Sequence, residues 1–171
     1  MKPDIQIRPA VASDAASIAA LLHQSFIEFQ SSYTPAGFAA TTPTSDQIQL
    51  RMKEGPVWVA LHNEAIVGTV SVVPKEKGLY IRGMAVVPSA RGLGVGKALL
   101  VYVERAAAAE GYQRLFLSTT PFLSAAIRLY ENFGFRRSKE APPDLFGTPL
   151  FTMIKSLENP PQCSGVFQKQ D

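Results

Sequence analysis

MAVVPSARGLGVGKALL, residues 84–100, decides how this chain is read: a hydrophobic strand ends at Val-x-Pro, and alternating glycines Gly92, Gly94 and Gly96 then run directly into a helical pattern. Glycine lacks a Cβ, so it enters positive φ and lets another group approach the main chain. Where such a turn opens a helix, the first N–H groups have no internal partner, and the macrodipole adds roughly half a positive charge. The stretch therefore predicts an anion cradle suited to a diphosphate. Two familiar phosphate motifs fail on spacing. A Walker A loop needs glycine where Arg91 stands and Ser or Thr where Ala98 stands. A dinucleotide fingerprint needs its third glycine at Lys97 or Leu99.

Working outward, Val95, Ala98, Leu99, Tyr102, Val103 and Ala106 mark the apolar face of the helix after the turn. RLFLST (114–119) predicts the next strand and residues 124–133 the next helix, with Gly134 as its stop. Upstream, LYIRGMAVV (79–87) is a strand. VWVAL (57–61), a turn at 62–64 and AIVGTVSVV (65–73) form a hairpin that Pro74 ends. Ile5 and Ile7 alternate in a first strand; Ser13 or Asp14 caps a helix carrying Ile18, Leu21, Leu22 and Phe26. Residues 31–45, rich in Ser, Thr, Pro and Gly, read as a long connection of the kind that is mobile or part of a binding site, followed by a short helix over 46–53. Further strands are expected from Phe135 and near Leu150. The order predicts a mixed α/β fold with helices on both faces of the sheet.

At 171 residues and 46% hydrophobic content, the chain is expected to form one domain over residues 1–157, with a polar tail at 158–171 outside the core. Seventeen basic against 14 acidic residues, without a long run, give a mildly basic surface that points to no nucleic acid partner. No apolar leader or stretch of about 18 uncharged apolar residues occurs, so no membrane association and a cytoplasmic location are expected. The single cysteine, Cys163, lies in the tail, and His23 and His62 lack neighbours at ligand spacing, so no metal site is expected.

Residues 5–157 resemble the GNAT superfamily of acyl-CoA-dependent N-acetyltransferases. The resemblance rests on residues 84–100, on AAIRLYENFGF (125–135) with its tyrosine ahead of Gly-Phe, and on the element order. It implies a single-domain, mostly antiparallel twisted sheet of six to seven strands, with acetyl-CoA as co-substrate. The cofactor diphosphate would be held by main-chain N–H groups of Gly92, Leu93, Gly94, Val95, Gly96 and Lys97, with Arg91 adding charge. Met84, Ala85 and Val86 would splay from the strand at 115–118 and pair with the pantetheine amides. N–H groups at or near Val86 would polarise the thioester carbonyl.

The same resemblance makes Tyr130 the proton donor to the departing thiolate, a role open to a phenol that keeps its proton at neutral pH. The strand at 79–86 carries no carboxylate, unlike that of some relatives, so a water relay held by main chain or Ser118 is expected, with Glu28 and Glu76 as solvated carboxylates. Leu123 stands where many relatives have asparagine. Direct transfer to a small-molecule or peptide amine is implied, by a monomer or homodimer; the alternative is a non-catalytic acyl-CoA sensor, and a third possibility is a protein acceptor. Acceptor specificity would lie in residues 26–53. There Phe26, Glu28, Phe29, Tyr33 and Phe38 either hold an ammonium, or Phe26 and Phe29 pack in the core and Glu28 is solvated.

Overall fold

The computed structural model describes residues 4–76, 78–140 and 143–157; the expected polar tail, with Cys163, lies outside them. A seven-stranded sheet runs in the order β1 (Ile5–Pro9), β2 (Val57–His62), β3 (Ala65–Lys75), β4 (Gly78–Val86), β5 (Arg114–Thr119), β9 (Phe151–Ser156), β6 (Arg136–Arg137). All neighbouring pairs are antiparallel except β4 and β5. That pair is parallel because the chain crosses between them through α4 (Val95–Ala109). A separate two-stranded hairpin, β7 (Asp144–Leu145) and β8 (Thr148–Pro149), sits before β9.

Strand β2 shows why the sheet is covered on both sides. Val57 and Val59 pack with α1 (Ala15–Phe26) and α3 (Ser45–Glu54), whereas Trp58 and Ala60 join the core beneath α4. All four are buried, as the twofold alternation of a strand between two helical layers requires. Leu99 and Leu100 of α4 are fully buried on the larger core, so Leu99→Ala should cost about 2–5 kcal/mol.

Several expectations shift. Residues 31–45 are not an unstructured connection. A 3-10 segment (Ile27–Ser32) leads into α2 (Pro35–Thr41), whose start is capped by Thr34 Oγ1 accepting from Gly37 N–H at 3.0 Å. Proline at the first helical position and the Thr34 cap are the signals that a compositional reading passes over. A second cap, the reciprocal box between Thr44 and Gln47, starts α3. Asp14 is buried, but its carboxylate does not cap α1; it accepts from Val11 N–H and from Arg8 at 2.8 Å.

Pro74 does not end β3, which continues to Lys75 and pairs Pro74 with Leu79. Val72 N–H donates to Pro56 O on the β2 side, and Pro74 shares that orientation two residues on, beyond the last β2 partner. The missing N–H therefore faces an open edge and breaks no ladder. The strand expected from Phe135 is reduced to two residues, β6, and the β7–β8 hairpin was not anticipated. Strand β5 and α5 (Ser124–Phe133) lie where the sequence places them.

Candidate functional site

The sheet parts at its centre. Parallel pairing of β4 with β5 runs through Leu79, Tyr80 and Ile81, against Leu115, Phe116 and Leu117, and then stops. Thr69 faces Ala85 and Ser71 faces Arg82, so Gly83 and Met84 oppose the single Val70. This bulge, with Gly83 at φ +62°, turns the end of β4 away from β5. The expected splay therefore begins after Ile81, and Leu115 and Leu117 belong to the paired part. Val87 N–H donates to Val67 O, so by alternation the Val86 N–H faces the opening. Ser25 Oγ reaches the same edge and donates to Val86 O at 3.2 Å.

Below the opening, Gly92 (φ +86°) and Gly94 (φ +83°) shape the turn into α4, and an added Cβ at either would meet no atom within 4 Å. Positive φ and an open approach to main chain, rather than crowding, account for glycine here. The first α-helical bond is Ala98 N–H to Gly94 O at 3.0 Å, leaving the N–H groups of residues 95–97 without intrahelical acceptors. Gly96 serves packing: its Cβ would lie 2.8 Å from a Leu129 methyl of α5.

These elements enclose a cleft of about 430 Å³. Its walls include every residue expected in the cofactor site except Leu93, whose side chain packs on the core. Val95 is buried, so its part in the turn is its main chain. Arg91 at the rim already has partners, donating to Glu28 at 2.8 Å and to Ser25 O at 3.2 Å.

Tyr130 sits in the last turn of α5, which ends in a Schellman arrangement: Phe135 N–H donates to Tyr130 O and Gly134 N–H to Glu131 O, both at 3.0 Å. Burial pushes its phenol up to about 12, with Tyr33 adding to the shift. Tyr130 also lines a second cavity of about 270 Å³, which shares with the cleft Phe26, Met84, Leu123, Ala126 and Tyr130 itself. Tyr130 is thus one of five residues at which the two chambers meet. The second chamber is bounded by Tyr33, Arg51, Tyr80, Arg82, Ser118, Leu145 of β7 and Leu150 just before β9. Ser118 Oγ lies 3.2 Å from Thr152 Oγ1.

The group expected to hold an ammonium is dispersed. Glu28 pairs with Arg91 and lies outside the second chamber; Phe29 lines the cleft; Phe38 is in neither wall and packs against Tyr33 and His23. Glu76 is exposed and lines neither chamber. Sequence reasoning missed Arg51 and Arg82. Arg82 carried a signal, being a charged residue inside a strand of otherwise buried type just before Gly83. Arg51, at the end of a short helix, carried none. Among the described residues, no cluster of three His, Cys, Asp or Glu could hold a metal, and no helix is long and apolar enough to cross a membrane.

Comparison with known proteins agrees with this architecture. Human N-acetyltransferase 8B is 33% identical over 90 residues, 49% of this chain and 40% of that protein. The uncharacterized N-acetyltransferase YjgM of Escherichia coli is 31% identical over 105 residues, 58% of this chain and 63% of that protein. The matches thus span less than two thirds of these relatives' lengths. In structure, the PaiA N-acetyltransferase of Thermoplasma acidophilum, solved with coenzyme A, superposes with a TM-score of 0.77 at 14% identity over 90% of this chain and 99% of that one. A GCN5-related N-acetyltransferase from Rhodopseudomonas palustris gives 0.75 at 23% identity, over 92% and 97%. The Acetyltransferase (GNAT) family model matches residues 20–135, well over half of the sequence, and the chain belongs to that family.

Proposed function

We propose that the protein transfers an acetyl group from acetyl-CoA to the primary amine of an acceptor, by direct attack with both substrates bound. The observation that carries this reading is the pair of chambers meeting at Tyr130. A glycine turn with free N–H groups and an unpaired β4 edge lie on one side, and a smaller cavity with more polar side chains lies on the other. The cleft fits the carrier on three counts. The turn is open above Gly92 and Gly94, where an added Cβ would meet no atom within 4 Å, the parted strands offer amides to an extended chain, and the Thermoplasma relative was solved with coenzyme A. A module built only to sense acyl-CoA would have no use for the second chamber.

When bound, acetyl-CoA supplies an acyl group activated as a thioester. The glycine turn, residues 92–97, anchors its diphosphate, and the Val86 N–H polarises the carbonyl. The acceptor nitrogen forms a C–N bond as C–S breaks, and nitrogen loses one proton while the thiolate gains one. In this reading Tyr130, which lines both chambers, serves the second of these. A phenol near 12 is a weaker acid than a thiol near 8.5, so full transfer would be uphill by about 3.5 pKa steps, roughly 5 kcal/mol. Its effective role is hydrogen-bond donation to the developing thiolate, with any proton it gives replaced from the nitrogen through water. In this reading Ser118, which lines the second chamber, holds that water. Thiol release from acetyl-CoA across a panel of amines tests the reading: amine-dependent release supports it, and coenzyme A binding without release from any amine leaves only the sensor.

A further inference from the structure

The second chamber holds two cationic side chains, Arg51 and Arg82, and no carboxylate lines it. Each arginine is held by groups that leave donors over. Arg51, half-buried, gives one N–H to Ala40 O at 3.2 Å, and another nitrogen, Nη1, packs against Gly83, where even a Cβ would come within 3.1 Å. Arg82 donates to Glu54, while its Nε is buried with no hydrogen-bond partner among the described residues. Glu54 is more than half exposed and is also acted on by Lys75; it borders an outer hollow, which Arg51 and Arg82 line as well, and not the chamber. One carboxylate therefore serves two guanidinium groups, and burial together with the neighbouring Arg82 pulls Arg51 below its ordinary range. Among the described residues Glu54 alone offsets the two positive charges, so a second anion on the chamber side would be stabilised there.

From this geometry we infer that the acceptor bears a carboxylate close to its reacting amine, and that Arg51 and Arg82 receive it. The inference rests on the transferase reading above and names its substrate class. A planar guanidinium offers parallel donors that match a carboxylate, and Arg82 keeps one buried donor, its Nε, without a partner among the described residues. The same two charges disfavour an ammonium nearby, which lowers the pKa of the bound amine and keeps its lone pair free for attack. They also repel polycations. A chamber of about 270 Å³ suits an acceptor of amino-acid size.

The test compares free amino acids with their amides, with the corresponding decarboxylated amines and with a polyamine, by thiol release from acetyl-CoA. The acids should be turned over, with kcat/KM at least roughly 100-fold above that of the matched amides. Arg51→Met and Arg82→Gln should each raise KM for the acid, Arg51→Lys should recover part of the loss, and calorimetric affinity for coenzyme A should stay unchanged in all three. Amides or polyamines used as well as acids, an unchanged KM in the arginine variants, or no turnover of any carboxylated amine by protein that binds coenzyme A would each overturn the inference. Coenzyme A affinity separates the two claims: if it is intact, carboxylate indifference sinks this inference alone; if it is absent in the unmodified protein, the transferase reading falls as well.

Discussion

The two chambers beside Tyr130 are built by different means. The larger is walled mainly by apolar side chains and by the main chain of one continuous stretch, residues 84–97, with the side chains of Ser25, Arg91 and Lys97 adding polar groups. The smaller takes its polar character from side chains on α3, β4 and β5 and from the segment around Tyr33. Recognition by main chain depends on backbone conformation, which local sequence dictates. Recognition by side chains depends on which distant segments the fold brings together. A substitution should therefore act on one chamber through φ and ψ, and on the other through charge and reach.

The sharpest way to break this contrast is Gly94→Val. At φ +83° a β-branched residue is strained by about 1–3 kcal/mol and also screens the helix N-terminus. Coenzyme A affinity by calorimetry should fall by roughly 100-fold or more once the lost diphosphate contacts are added. Unchanged affinity would mean that main chain does not carry the larger chamber. Tyr130→Phe probes the shared wall and should lower kcat by roughly 10- to 100-fold while leaving coenzyme A affinity in place.

The same tyrosine makes a prediction in pH. Its raised value of about 12 means that burial favours the neutral phenol, so the associated stability is full below pH ~10 and is lost as pH rises toward 12. Burial raises Tyr33 as well, so absorbance titration should show more than one late-ionising tyrosine, and the last of them should disappear in the Phe variant.

Gly83→Ala sharpens the other side. The added methyl must fit at φ +62° and press on the Arg51 guanidinium, so kcat/KM for the acceptor should fall by about tenfold, with a smaller change in coenzyme A affinity. Equal losses on both sides would show that the bulge serves the chambers jointly. Remote from both, Asp14→Asn should cost about 1 kcal/mol in chemical denaturation near neutral pH. Hydrogen bonding from Arg8 holds the Asp14 carboxyl below its ordinary range. That stability is present above about pH 4 and lost as pH falls through the depressed value, so the variant and the parent should converge in acid.

The same division explains what could be read in advance. Strand β5, α5 and the glycine turn were legible because each is specified by its own residues: alternation in RLFLST, a helical face ending at Gly134, and glycines whose φ only glycine adopts readily. Short helix α2 was hidden by a composition shared with loops, although the Thr34 cap and Pro35 were in plain sight. Pro74 misled because its effect depends on which edge it faces, a property of the sheet and not of the strand. Arg51 and Arg82 lie 31 positions apart and meet only because α3 packs over the sheet beside β4. Glu28 looked available to an ammonium until the fold gave it Arg91.

The parting of β4 from β5 after Ile81 has a thermodynamic corollary. A sheet with an unfinished seam at its middle forgoes the ladder bonds that would close it, and any extended amide chain that fills the gap becomes in effect an eighth strand. Under the proposed function, the cargo carrier is then part of the folding equilibrium: at a hundred times its dissociation constant it would add about 2.7 kcal/mol to the folded state. Thermal resilience of this protein would rise and fall with the supply of its own substrate.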